Sequence, residues 1–329
     1  MMTESGKASK ASHIKSRHQI VALFRASRYT NFVERRVLQG GAATTVTAEH
    51  RIVRPVYGAG RWFPDDPATL REAVERFIEE AQPPVVKGRV VGAIAPHAGY
   101  DYSGKVAGYV YRTLRDHATA GDTPETVVVL GVSHSAQFHH IALMDGHAVA
   151  TPLGETALDV DAVALLTAAH PRIVADYRAH VREHSAENEI PFVQAALPAA
   201  QLVVGLIGDH DQAAMEGIAS ALENLAGKKK IVVIASSDML HDPNYERVCK
   251  TDQSTLRKVA AMDITGVLRA WDFSQQTFCG IAPVGAVMRF AQAQGCKRGT
   301  LLYYRNSGDD DPASRGRYVV GYGAVVFAV

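Results

Sequence analysis

Three histidines stand where apolar runs typical of β-strands give way to polar or glycine-containing sequence. Each follows one such run: His97 after residues 90–95, His134 after residues 126–132, and His241 after residues 231–235. In open α/β sheets, ligands bind in the crevice outside the carboxyl ends of the strands. Side chains from three such ends can meet in one cleft. Because imidazole binds Zn, Cu, Fe and Ni, the spacing indicates a metal site or an acid–base site.

Two histidines plus one anionic ligand, with open positions left, is the arrangement by which non-haem iron sites bind substrate and dioxygen. Asp238, Glu187 and Cys279 are the candidates for the anion. Cys279 precedes Gly280 and Pro283, which can start a helix, so we expect the positive end of that helix to lower the thiol pKa and favour the thiolate. The residues alone leave all three candidates open.

A polar segment over residues 182–189 contains His184 and Glu187. We expect Ser185 to cap a helix whose first turn would project both side chains toward the cleft. His180 and His184, four residues apart, could chelate a metal if a helix spans them. An exposed charged turn is the alternative interpretation.

A glycine-containing segment, residues 99–106, follows a strand, opens a helix and matches the phosphate-binding loop up to its last position. There the loop needs Ser or Thr to hold magnesium, and Val106 has no oxygen to offer. Nucleotide hydrolysis is therefore disfavoured.

The elements that must position these residues alternate between strand and helix. Apolar runs predict strands at residues 90–95, 126–132, 202–207, 231–235, 301–305 and 318–329. Helical patterns accompany them at residues 67–81, 104–117, 159–169, 187–197, 212–225, 245–261 and 283–294. This alternation predicts an α/β fold: a single-domain sandwich whose central, mostly parallel mixed sheet is flanked by helices on both faces.

Charge divides the chain into two parts. Residues 1–54 carry 10 Lys and Arg against 3 Asp and Glu, whereas the remainder carries 25 against 31. We interpret residues 1–53 as a basic, disordered N-terminal extension and residues 54–329 as the α/β domain. The acidic domain argues against a nucleic-acid partner.

Cysteine content and hydropathy point to a compartment. Only 3 cysteines occur, with no Cys-x-x-Cys pair, which indicates a reducing environment. No apolar run approaches the roughly 18 residues of a membrane span, so we expect no membrane partner. The expected location is the cytoplasm.

The residues from about 54 to 329 resemble the MEMO family, known in prokaryotes as protein B of the AmmeMemoRadiSam system. Many short elements match in one order: Arg54-Pro55, Trp62-Phe63-Pro64, Pro96-His97-Ala98-Gly99-Tyr100, Ser103-Gly104, Gly131, Ser133-His134, Thr151-Pro152-Leu153, Glu183-His184-Ser185, Glu187, Ser236-Ser237-Asp238, His241, Cys279-Gly280, Pro283, Gly285 and Asn306-Ser307-Gly308-Asp309. One departure is Glu189, where glutamine or histidine is common; we expect it to add negative charge near the pocket.

The MEMO family is similar in fold to the class III extradiol dioxygenases, which are non-haem iron enzymes. By this resemblance His97, His134 and Cys279 would ligate the metal: iron(II) first, with copper or zinc as alternatives. Further residues would line the same pocket as catalytic groups: His241, Asp238, His184 and Glu187. The dioxygenases use a glutamate where this family offers a cysteine, so the resemblance does not transfer dioxygenase activity.

The leading hypothesis is a metal-binding, redox-capable protein, acting if catalytic as a non-haem metal-dependent oxidoreductase. His241 would be its general acid or base, with Asp238 orienting the imidazole or stabilising its cation. One alternative is a noncatalytic interaction module that binds a small molecule or peptide in the pocket, with a radical SAM protein and an AMMECR-type protein as partners. Another is a zinc-dependent hydrolase with Glu187 as base.

Overall fold

A computed structural model describes residues 51–329, together with the strand backbone of residues 26–27, 30–39 and 42–49. The chain divides into two compact units, residues 1–51 and residues 52–329. In the first unit, residues 30–39 pair in antiparallel fashion with residues 42–49. The predicted disorder of residues 1–53 falls largely on positions outside the described residues and stays a prediction.

The described residues form these strands: β1 (Ala26–Ser27), β2 (Thr30–Gln39), β3 (Ala42–Glu49), β4 (Val53–Arg54), β5 (Val90–Ala95), β6 (Thr126–Val132), β7 (Ile141–Leu143), β8 (Ala148–Thr151), β9 (Gly154–Ala157), β10 (Ile173–Ala175), β11 (Gln201–Ile207), β12 (Ile231–Ser236), β13 (His241–Asp242), β14 (Gly299–Asn306) and β15 (Val319–Ala328). They also form these α-helices: α1 (Pro67–Glu80), α2 (Tyr100–Thr119), α3 (Val160–Ala169), α4 (Ile190–Ala196), α5 (Gln212–Ala226), α6 (Tyr245–Ala260), α7 (Ile264–Arg269), α8 (Ile281–Ala293) and α9 (Ser307–Asp310). Short 3₁₀ helices lie at Tyr177–His180, Glu187–Glu189 and Pro312–Ser314.

A nine-stranded mixed sheet organises the second unit, in the order β10-β7-β11-β6-β12-β5-β15-β13, with β14 paired to β15. Its four central strands, β11, β6, β12 and β5, run parallel. Ala235 of β12 lies opposite both Leu130 of β6 and Ile94 of β5. Because of this register, the three strands end at nearly the same level and release the chain at one edge of the sheet.

Each face of the central sheet packs on its own layer of helices. In β6, Val128 and Leu130 join the core formed with α3, α5, α6, α7 and α8, whereas Val127 and Val129 join the core formed with α1, α2 and α4. Side chains alternate between the faces of a strand, so a strand covered on both sides must be apolar throughout. The predicted α/β sandwich is confirmed.

The predicted strands and helices all occur, with ends shifted by up to about four residues. Short elements were missed, among them β7, β10 and β13, because two or three residues are too few to show a periodic pattern. The segment that resembles a phosphate-binding loop forms the first turns of α2, which starts at Tyr100. Gly104 in that helix faces Phe77, where a Cβ would lie 2.5 Å from the nearest ring carbon, so this glycine permits close helix packing. Among the residues that the structure describes, none of the helices combines the length and the apolar character needed to cross a membrane.

Candidate metal centre

The three neighbouring parallel strands β5, β6 and β12 each deliver a side chain two residues beyond their last residue. These side chains are His97, His134 and Asp238. A fourth group, Cys279, comes from the loop before α8. Its backbone N–H donates to the carbonyl oxygen of Asp238 at 3.1 Å, which fixes the loop against the end of β12.

His97, His134 and Cys279 converge. One ligand atom from each lies within 4.8 Å of those of the other two. The distance from Nε2 of His97 to Sγ of Cys279 is 3.3 Å, and the two imidazole rings meet edge to face with centroids 5.3 Å apart. The structure thus brings together the three residues expected to bind metal.

Two further groups of donor atoms within 4.8 Å share members with this cluster. His134 groups with Glu183 and His184, and Cys279 groups with Asp238 and His241. Hence His184, Asp238 and His241 lie in the same cleft as the three convergent residues.

His97 is the most deeply buried member, with 2% of its surface exposed. Its backbone N–H donates to Oδ1 of Asp238 at 2.9 Å, and its carbonyl oxygen accepts from Nδ2 of Asn188 at 2.6 Å. Nδ1 lies 3.1 Å from Oγ of Ser236. Burial, followed by repulsion from His134, lowers the pKa of His97 well below its usual value, so the ring is neutral at neutral pH.

A buried carboxylate, Glu183, lies behind His134. Oε1 of Glu183 lies 3.0 Å from Nδ1 of His134, and the backbone N–H of His134 donates to Oε2. The N–H groups of His184 and Ser185 also donate to Oε1, each at 2.9 Å. Burial raises the pKa of Glu183, but these bonds and the nearby imidazole outweigh it and bring the pKa down to about 2. An ionised Glu183 therefore keeps a proton on Nδ1 of His134 and directs Nε2 toward the cleft.

The thiolate predicted at Cys279 from the nearby helix end is not favoured by the protein's own groups, because the pKa of this thiol is raised rather than lowered. Burial, and then the charge of Asp238, raise the pKa of this thiol to about 12. The N–H of Gly280, the N-terminal cap of α8, donates to Oγ of Ser237 at 2.8 Å, and its effect in lowering the pKa of the thiol is outweighed by burial. A thiolate at this position requires a cation beside it.

Asp238 and His241 are two further titratable groups in the cleft. Burial raises the pKa of Asp238 to about 7, against the effect of the bonds it accepts from the N–H groups of His97 and Ala98. His241 lies at the solvent-exposed rim, and Nδ1 of His241 lies 2.9 Å from the Tyr318 hydroxyl. The residue keeps an exposed surface, but the protein packed around its ring, followed by repulsion from His134, lowers the pKa of His241 to about 4. Tyr318, a residue that the sequence did not single out, thus contacts one ring nitrogen of His241, and a carboxylate oxygen of Asp238 lies within 4.8 Å of a ring nitrogen of His241. The orienting role of Asp238 stays a prediction.

His184 forms one wall of the cleft. Its ring stacks on Trp62 with a centroid distance of 4.0 Å and an interplanar angle of 6°, and on His134 at 4.8 Å. Burial lowers the pKa of His184 to about 4. A neutral, stacked imidazole holds His134 in place without adding positive charge.

Glu187 is placed elsewhere. Its Oε2 pairs with Nη1 of Arg54 at 2.7 Å, and its Oε1 accepts from the N–H groups of Tyr57 at 2.7 Å and Gly58 at 3.1 Å. Both oxygens are engaged, and none of the donor clusters found in the described part of the chain includes Glu187. Its contacts tie the start of the domain to residues 187–189.

The expected helix across residues 180–184 is absent, because the 3₁₀ helix that contains His180 ends there and turns follow. His180 lies 3.0 Å through Nε2 from the carbonyl oxygen of Ala142, so its suggested pairing with His184 on a metal is wrong. Nor does Ser185 cap a helix; its hydroxyl donates to the carbonyl oxygen of Val132 at 2.6 Å.

The donor set fits a transition metal. Two imidazoles and a thiol that ionises beside a cation suit copper, zinc and iron, whereas magnesium and calcium prefer oxygen ligands. Histidines that bind metals are commonly oriented by a hydrogen bond at the other ring nitrogen, and Glu183 and Ser236 make such contacts with Nδ1 of His134 and His97. Sequence reasoning gave neither residue a role, although the acidic residue next to His184 was a usable signal.

Comparison with known proteins identifies a family for this chain. Residues 54–326 match the model of a family described as Memo-like protein. A MEMO1 family protein from Methanopyrus kandleri is 32% identical over 82% of this chain and 96% of its own length. Others come from Ignicoccus hospitalis, 32% identical over 84% of this chain and 99% of its own, and from Methanothermobacter thermautotrophicus, 33% identical over 80% and 96%.

Proposed function

The chain belongs to the MEMO family, and from that premise we propose that it binds a redox-active metal, iron or copper, through His97, His134 and Cys279 for an oxidoreductase reaction. The observation that carries the proposal is the convergence of these three donors within 4.8 Å in one cleft. Imidazole and thiolate are the ligands that such ions prefer over oxygen donors alone.

Ionisation of Cys279 would require a bound cation. A thiol whose pKa burial has raised to about 12 stays protonated at neutral pH unless a positive charge is placed beside it. Removing its proton is then part of metal binding, as is general for thiolate ligands. When bound, iron or copper would supply electron transfer and Lewis acidity to the reaction.

Proton transfer would be carried by this chain's own residues. The pKa of His241, lowered to about 4, keeps its imidazole neutral at neutral pH, so a ring lone pair is free to accept a proton from a substrate hydroxyl at the rim of the cleft. The same low pKa makes the ring a weaker base than free imidazole and makes its protonated form a strong acid that readily returns the proton. Tyr318 fixes the ring through Nδ1. Asp238, with its pKa raised to about 7, can hold or release a proton near neutral pH. Two acid–base groups in one cleft favour a catalytic role over that of a noncatalytic interaction module.

The zinc-hydrolase alternative is not supported by the placement of its expected base. Glu187 is already engaged by Arg54 and by two backbone N–H groups. A carboxylate with both oxygens engaged in this way is not positioned to activate water.

Metal content tests the proposal. The protein is purified anaerobically without a metal-binding tag, and its metals are quantified by mass spectrometry. The variants His97→Ala and Cys279→Ser are matched with His139→Ala, an exposed histidine paired with Asp209, and with Cys249→Ser, a cysteine outside the donor clusters. We expect near-stoichiometric iron or copper in the wild type and both controls, and its loss from both site variants.

Oxygen uptake with phenolic substrates follows on the loaded protein, with His241→Ala as the acid–base variant. Unchanged turnover in His241→Ala would remove the acid–base assignment. Zinc in place of iron or copper, without oxygen consumption, would contradict the redox role. A folded wild type that takes up no metal would overturn the proposal and favour the noncatalytic interaction module.

A further inference from the structure

A chain of buried hydrogen bonds lies behind His97, on the side away from Cys279. Oγ of Ser236 is at its centre and has three polar neighbours. These are the carbonyl oxygen of Ser185 at 2.6 Å, Oε1 of Glu189 at 2.8 Å and Nδ1 of His97 at 3.1 Å. Ser236 and Glu189 are both buried, with 0% and 1% of their surfaces exposed.

The number of available protons fixes the direction of each bond. A serine hydroxyl has one proton to donate and two lone pairs that accept. A carbonyl oxygen never donates, so the Ser236 proton must lie between Oγ and Ser185. The other two contacts must then be made with protons from the neighbours: one from the carboxyl of Glu189 and one from Nδ1 of His97.

The surroundings of Glu189 agree with a neutral carboxylic acid. Its Oε2 accepts from the Tyr111 hydroxyl at 2.8 Å, which leaves Oε1 as the atom that carries the proton. Burial, reinforced by the charge of Asp238, raises the pKa of Glu189 to about 8. The negative charge expected from this residue is therefore largely absent at neutral pH.

We propose that Glu189, as a neutral acid, acts through Ser236 as a positioning residue that holds the His97 proton on Nδ1 and leaves the Nε2 lone pair facing Cys279. This assignment rests on the proposed function in that it makes Nε2 the metal-binding atom of His97. It adds the hydrogen-bond chain from Glu189 through Ser236 as the reason why Nε2 is that atom. The two imidazoles would then have hydrogen-bond partners of different charge. An ionised Glu183 lies behind His134, whereas the neutral hydroxyl of Ser236 and the neutral acid of Glu189 lie behind His97.

Nitrogen NMR of the metal-free protein tests the proton position directly. With ¹⁵N-labelled histidine, a long-range proton–nitrogen correlation shows which ring nitrogen carries hydrogen, and the His97 signal is assigned by its loss in His97→Gln. We expect Nδ1–H in the wild type. The Nε2–H form should become populated in Ser236→Ala, where the acceptor for Nδ1–H is gone.

Glu189→Gln separates a neutral donor from a carboxylate. A glutamine amide can donate to Ser236 and accept from Tyr111, so this variant should keep the wild-type tautomer of His97, whereas Glu189→Leu should weaken it. The infrared difference between wild type and Glu189→Gln at neutral pH should contain the carbonyl stretch of a protonated carboxyl. Tyr111→Phe, which removes the far end of the chain, should leave the tautomer unchanged.

Three results would overturn the inference: His97 protonated on Nε2 in the wild type, an unchanged tautomer in Ser236→Ala, or no protonated-carboxyl signal from Glu189. The wild-type tautomer of His97 tests the inference even if a variant fails to fold. Because neither readout uses metal, they separate this inference from the proposed function: the expected tautomer in a protein that binds no metal would refute the metal centre alone. In the loaded protein, Ser236→Ala should weaken metal binding by roughly 10- to 100-fold, and Glu189→Gln should not.

Discussion

Replacing Glu183 by glutamine should cost both stability and metal affinity, because four N–H groups point at its two oxygens. They are the ring and backbone nitrogens of His134 and the backbone nitrogens of His184 and Ser185. The NH₂ group of a glutamine would face at least one of these donors in either orientation. A buried donor left without its acceptor costs free energy.

The magnitude follows from the ionisation of Glu183. Its pKa of about 2, against an ordinary value of 4.5, corresponds to a stabilisation of about 3 kcal/mol by the charged form. Glu183 is 2% exposed, so little of this is screened by solvent. Since the folded-state pKa is depressed, the contribution is complete above the unfolded-state pKa of about 4.5 and is lost as the pH falls toward about 2.

We therefore expect Glu183→Gln to lower the free energy of unfolding of the metal-free protein by about 3 kcal/mol at neutral pH. Urea denaturation measures this. The penalty should shrink as the pH is lowered below about 4.5. Metal affinity should fall by roughly 10- to 100-fold, because the tautomer and orientation of His134 are no longer fixed.

The matched control is Glu72→Gln, the same substitution on the exposed surface of α1, which should change stability by no more than about 0.5 kcal/mol. If Glu183→Gln behaved like this control in both stability and metal affinity, the carboxylate would not support His134, and the reasoning would be refuted.

Three other outcomes are expected. Metal binding at neutral pH should release about one proton from Cys279, because burial keeps its thiol protonated beforehand; calorimetry in buffers of different ionisation enthalpy measures it. Gly131→Ala should destabilise the domain by roughly 1–3 kcal/mol and weaken metal binding, because the added Cβ would collide with Oγ of Ser185, as denaturation and metal titration can show. Arg54→Met should cost roughly 3–5 kcal/mol in urea denaturation, because it leaves the buried charge of Glu187 without its ion-pair partner.

Each of these has its own control. Cys279→Ser should lose the extra proton release, and an equal release from this variant would contradict the assignment. Gly227→Ala, whose Cβ would be 3.6 Å from its nearest neighbour, should be tolerated. The double variant Arg54→Met/Glu187→Leu should recover part of the stability lost in Arg54→Met; no recovery would mean that the charge pair is not the cause.

The sequence predicts the sheet and the position of the cleft well. Residues 90–95 and 126–132 are almost entirely apolar because both of their faces are buried, and such runs are read easily from a sequence. The positions of His97 and His134 just beyond the ends of these strands follow from the same pattern. Cys279 was recognisable from the glycine and proline after it, although its pKa was misjudged because burial outweighs the nearby helix end.

The supporting residues could not be predicted in the same way. Glu183 approaches His134, and Tyr318 approaches His241, only because the chain folds, and no local pattern indicates such contacts. Glu187 was misplaced for the same reason, because its partner Arg54 lies at the start of the domain. Spacing along the chain identifies ligands at strand ends, whereas the groups behind them depend on tertiary packing.

The most direct test of the metal centre is X-ray absorption at the metal edge of protein loaded anaerobically with iron or copper, for the wild type and Cys279→Ser. The proposed site predicts nitrogen from His97 and His134 and one sulfur in the wild-type coordination shell, with the sulfur lost in the variant. Metal bound without sulfur in the wild type, or an unchanged spectrum in Cys279→Ser, would contradict it.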